Sequence, residues 1–102
     1  MMATGLTRAD VKARLAKAQD EILRLGVRRL ALFGSVQRNA AEANSDVDLL
    51  VEFEPGQKTF DRFLDLGELL EQVLGQPVDL VTTEALSPFL GPHILADATD
   101  VV

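Results

Sequence analysis

The sequence predicts a single α/β domain of the α+β kind, a small mixed β-sheet covered by helices. Three observations predict it. Short runs rich in Val, Leu and Phe, at 27–33, 46–53 and 78–81, alternate with segments whose apolar residues recur at helical spacing. The chain has 102 residues, enough for one domain at roughly 100 to 200 residues each. Its 47% apolar and 25% charged composition is that of a globular protein with a core, not of a disordered tail.

The first helix is expected over 7–25, where Val11, Leu15, Ala18, Ile22 and Leu25 repeat at intervals of four and three. Thr7 is its expected N-cap, with Asp10 three residues on, and Gly26 its stop. Arg8, Lys12, Arg14 and Lys17 fall on the outer side. Residues 27–33 follow as a strand that breaks at Gly34, and a short helix is expected over 36–43. Asn44 and Ser45 punctuate the chain before a second strand over 46–53, closed by Pro55-Gly56. The longest helix spans 59–74, with a broad apolar stripe including Phe63, Leu66, Leu70 and Leu74, and Gly75 ends it. A third strand at 78–81 and a short helix at 92–98 complete the order, with Val101 and Val102 extending a strand or forming a tail.

Composition narrows the function classes. Without cysteine there is no disulfide, no thiolate metal site and no cysteine nucleophile. No apolar run approaches the roughly 20 residues that span a bilayer, and the N-terminal residues lack the pattern of a signal peptide, so a soluble, cytoplasmic protein is expected. The net charge is −6, unevenly spread: residues 1–38 hold eight bases and three acids, residues 39–102 two bases and thirteen acids. With that balance, no Trp or Tyr and five Phe, nucleic acid is not an expected partner. A domain of this size buries only about 60 to 65% of the surface of its unfolded chain, so association with a partner or with further copies of itself is expected.

Asp46 and Asp48 stand two residues apart at the mouth of an apolar strand, so both carboxylates project from one face. Two such charges repel by about 1 to 3 kcal/mol at an effective dielectric near 20, a cost that a bound divalent cation turns into a ligand set. Asp79, in Pro77-Val78-Asp79-Leu80-Val81, repeats the pattern. If helix 59–74 is the crossover between parallel neighbours, Asp79 faces Asp46 and Asp48. Gly34-Ser35, at the exit of the first strand, is a candidate phosphate cradle. Cradle and carboxylates meet only if the first two strands run antiparallel, which makes the sheet a mixed one.

Other readings of these residues fail. In an EF-hand loop starting at Asp46, position six is Val51 instead of glycine and position twelve is Gln57. There is no Walker motif and no Gly-x-Ser-x-Gly elbow, and His93 is the only histidine. His93 is expected to be structural or solvent-facing, Arg28 and Arg29 to face solvent, and Arg62 to lie on a helix surface.

Gly34-Ser35, ten residues, Asp46-x-Asp48 and a distal Asp79 together resemble the signature of the polymerase-β-type nucleotidyltransferase superfamily, most closely its minimal nucleotidyltransferase (MNT) group. Arg38, Ser45 and Leu49 fit the same pattern, while Asn39 stands where the family usually has glycine. The resemblance implies the nucleotidyltransferase fold over residues 1–102, with two Mg2+ ions on Asp46, Asp48 and Asp79. It further implies a nucleoside triphosphate held by Gly34, Ser35 and Arg38, with ATP as donor. Members of this group are commonly antitoxins of HEPN-domain toxins, adding AMP to a toxin tyrosine. The resemblance therefore implies a protein adenylyltransferase with a HEPN toxin as partner. Two alternatives stand beside it: a silent binding module that neutralises its partner by occlusion, and a nucleotidyltransferase of small molecules.

Overall fold

A computed structural model describes residues 6–37, 46–86, 88–89 and 91–102. Helix α1 spans Arg8–Lys17, and its first turn is closed by a reciprocal cap. The Asp10 amide donates to Thr7 Oγ1 at 3.1 Å, and the Thr7 amide donates to Asp10 Oδ2 at 3.0 Å. The single helix expected over 7–25 is instead two, because the chain breaks at Ala18 and resumes as α2, Gln19–Arg24. At Ala18 the dihedrals are φ −109° and ψ 12°, and its amide bonds Leu15 O three residues back. Val11, Leu15, Ala18 and Ile22 line one core on both sides of the break, so the apolar repeat runs through it.

Strand β1 is Val27–Phe33, as its composition predicts. Helix α3, Gly34–Gln37, starts two residues earlier than expected, and the rest of the expected helix 36–43 lies outside the described residues. Strand β2 is Val47–Phe53, which leaves Asp46 one residue ahead of it. Thr59 caps α4, Phe60–Leu74, by accepting the Arg62 amide, and Gly75 ends it in the left-handed region at φ 71°. The Arg14 guanidinium donates to Leu74 O at 2.6 Å, so α1 supplies a partner for a carbonyl that the end of α4 leaves open. Strand β3, Val78–Thr82, runs into a turn of 3-10 helix, Thr83–Ala85, that the sequence does not announce. Helix α5, Gly91–Asp97, leads into a two-residue strand β4, Thr99–Asp100, just ahead of the Val101-Val102 pair.

The four strands form one mixed sheet in the order β3-β2-β1-β4. β1 is antiparallel to both β2 and β4, and β2 is parallel to β3, as the crossover through α4 requires. Val47, Leu49 and Val51 of β2 are fully buried with Leu66, Leu70 and Leu74 of α4 and Val11, Leu15 and Ile22 of α1 and α2. Leu50 and Ala31, on the other side of the sheet, are also closed from solvent. No helix among the described residues is long and apolar enough to cross a membrane.

Two outcomes test this packing. Leu70→Ala, at a fully buried site, lowers stability by about 2 to 5 kcal/mol in denaturant titration. The Asp10 carboxyl is held below its usual value by the Thr7 amide and then the Thr7 hydroxyl, so its contribution is present above about pH 4 and lost as pH falls through the lowered value. Asp10→Ala is accordingly less stable than the unaltered chain at neutral pH, and the difference narrows on acidification below about pH 4.

Candidate active site

The antiparallel register sets Phe33, the last residue of β1, opposite Asp48 near the start of β2. The chain must leave the sheet immediately after this pair, and Gly34 turns it with φ +78°. A Cβ at this position would lie 3.0 Å from Asp48 Cγ and closer still to a carboxylate oxygen, so only glycine admits this approach. Ser35 follows in α3, half-buried, and Val36 anchors the turn with no exposure to solvent.

The parallel register then places Asp79 of β3 directly across from Asp48. Side chains paired in register share a face, so the half-buried Asp48 and the exposed Asp79 open onto the same side of the sheet. Asp46 is exposed just before β2, and the bond from the Val47 amide to Pro77 O, 2.9 Å, keeps the starts of β2 and β3 level. Gly34, Ser35, Asp46, Asp48 and Asp79 thus lie at one end of the sheet. Arg38, expected to serve the triphosphate, lies outside the described residues, as do Asn39 and Ser45.

Among the described residues no group of three or more His, Cys, Asp or Glu side chains gathers closely enough to hold a metal ion by itself. The paired carboxylates still form a suitable donor set of hard oxygens. Magnesium is commonly held by one or two carboxylates plus substrate phosphates and water, without a complete protein cage.

The bases set aside from the sequence lie elsewhere. Arg28 pairs with Glu52 at 3.5 Å and Arg29 with Asp100 at 2.5 Å, both on exposed parts of β1. Arg62 donates to the backbone carbonyl of Gln57 at 3.2 Å and also to its side chain, near the opposite end of the sheet. His93 is exposed on α5. A hollow lined by Phe63, Leu64, Gly67 and Glu68 of α4 with Val78 and Leu80 of β3 is on the other face, since Val78 and Leu80 alternate with Asp79.

One set of contacts escapes the sequence reading. Asp97, at the end of α5, accepts the Gly34 amide at 3.1 Å, and Thr99 Oγ1 accepts from Gln37 Nε2 at 2.5 Å. The only sequence signal was an acid at the end of a weak helical segment, 63 positions from its partner.

Comparison with known proteins identifies the family of the chain. The family model of the nucleotidyltransferase domain matches residues 14–100. The chain is 36% identical over 97 residues to the protein adenylyltransferase MntA of Thermococcus cleftensis, covering 94% of this chain and 97% of that protein. A solved structure described as a candidate minimal nucleotidyltransferase superposes with a TM-score of 0.73 at 39% identity, covering 90% of this chain and 89% of the other. The fold also matches, with a TM-score of 0.63 and 18% identity over 90% of this chain and 69% of the other, a structure described as a tri-AMPylated Shewanella oneidensis HEPN toxin in complex with MNT antitoxin. The chain belongs to the nucleotidyltransferase-domain family, and within it to the minimal nucleotidyltransferase group.

Proposed function

We propose that this chain transfers AMP from ATP to a hydroxyl of a HEPN-domain toxin, a tyrosine hydroxyl in the reading carried from the sequence, and so serves as the antitoxin of the pair. The observation that carries the proposal is the run of register from Phe33 to Asp48 to Asp79, with Gly34 packed against Asp48. It sets a tight glycine turn beside two carboxylates, the arrangement that phosphoryl chemistry on a metal-bound triphosphate needs. The adenylyltransferase relative and the AMPylated toxin complex support the nucleotide and the partner.

In this reading Asp46, Asp48 and Asp79, together with substrate phosphates and water, would hold two Mg2+ ions, which when bound neutralise the triphosphate and make the acceptor oxygen a better nucleophile. Gly34, with no side chain, lets the β and γ phosphates approach the turn, Ser35 seats them, and Arg38 meets the pyrophosphate. The acceptor oxygen attacks the α phosphorus as the bond from that phosphorus to the bridging oxygen breaks. Pyrophosphate leaves with the bonding pair, and a carboxylate oxygen of Asp79 takes the hydroxyl proton. Catalysis of this kind is mainly positioning and charge neutralisation, which a domain of 102 residues can supply. Residues 1–102 contain no tyrosine, so a tyrosine acceptor lies outside them.

The test incubates the chain with Mg2+ and α-labelled ATP, alone and with its HEPN-domain partner. Label is expected on the partner, and Asp48→Asn or Asp46→Asn reduces it by at least about a hundredfold. Undiminished labelling by the double variant overturns the site, and a stable complex that never carries label favours neutralisation by occlusion. Gly34→Ala forces a left-handed backbone on alanine and a Cβ onto the Asp48 carboxylate. It is expected to cost about 1 to 3 kcal/mol of stability and most of the transfer rate, read by thermal melting and by the same assay.

A further inference from the structure

Helix α3 opens directly at the end of β1, with Gly34 as its first residue. Its first amide has no acceptor within the helix and must find one elsewhere. The C-terminal segment provides it. Asp97 Oδ2 accepts the Gly34 amide at 3.1 Å, and Thr99, two residues on, accepts from Gln37 Nε2 at 2.5 Å. Gly34 and Gln37, three residues apart, are thus both tied to one short stretch of chain.

That stretch is itself fixed to the sheet. Thr99 and Asp100 pair with Leu32 and Ala31 of β1, and the Val101 amide donates to Leu30 O at 2.9 Å. We infer that Asp97 is a positioning residue for the nucleotide: by accepting the Gly34 amide it holds the Gly34–Ser35 turn against Asp48, ready for the phosphates. The inference rests on the reading that this turn seats a triphosphate. A carboxylate repels a polyanion, so Asp97 acts through the turn and not by touching the ligand, and it leaves Ser35 to meet the phosphate.

The test measures Mg-ATP binding to the full chain by calorimetry for Asp97→Ala, Asp97→Asn and Asp100→Asn, with a melting curve for each. Asp97→Ala is expected to weaken Mg-ATP binding about tenfold and to raise KM for ATP in AMP transfer by a similar factor, with kcat within about twofold. Asp97→Asn restores most of the affinity, because its amide oxygen can accept the same N–H. Asp100→Asn, which loses only the exposed partner of Arg29, binds as the unaltered chain does. Unchanged or tighter binding by Asp97→Ala, where the unaltered chain binds, overturns the positioning role, tighter binding meaning that the carboxylate competes with phosphate. So does a loss that follows a lowered melting temperature and is not rescued by asparagine. An unaltered chain that binds no Mg-ATP removes the nucleotide reading and this inference together.

Discussion

The antiparallel pairing of β1 with β2 is the constraint on which the rest of the structure depends. It puts the exit of one strand beside the start of the next, with Phe33 opposite Asp48, and so obliges the chain to turn away within one residue of a carboxylate. Gly34 is the answer to that obligation, since its backbone lies where any Cβ would strike Asp48. The parallel pairing of β2 with β3 extends the same line by one strand and brings in Asp79. The apolar neighbours Val47, Leu49 and Val51 are locked between sheet and helices, so a one-residue slip would bury Asp48 in the core. The register is therefore set by burial, and the same register aligns Asp48 with Asp79.

The same economy explains what the domain contains. A chain of net charge −6 does not attract a polyanionic nucleotide over distance, so in the proposed reading affinity for ATP arises locally, from amides, hydroxyls and bound cations at one end of the sheet. Helices α1, α2 and α4 cover one face with aliphatic side chains, and α4 doubles as the crossover that makes β2 and β3 parallel. The C-terminal segment, short as it is, closes the β1 edge and reaches the turn that follows it. In the proposed function the acceptor hydroxyl belongs to the partner protein.

Much of this was legible from local pattern. β1 runs over the residues its composition marks, Gly26 and Gly75 end helices with positive φ, and the alternation of strands with a long amphipathic crossover yields the mixed sheet. The failures have physical causes. The break at Ala18 is invisible because both halves of the helix bury residues against the same core, so the repeat of apolar positions does not falter. β4 has two residues, too few for an alternating pattern, and is made by pairing with β1. The candidate carboxylates and the glycine turn could be picked out because charge in an apolar strand is costly. Asp97 could not, because an acid at a helix end is ordinary and its partner lies 63 positions away.

The most direct measurement substitutes manganese for magnesium and follows paramagnetic broadening of backbone amide signals in the isotope-labelled chain, with and without ATP. The assignment predicts that broadening in the presence of ATP centres on Gly34, Ser35, Asp48 and Asp79, the end of the sheet where the three strands meet. Broadening centred on the exposed acids of α4, Asp61, Asp65 and Glu68, or spread evenly over the surface, would contradict it.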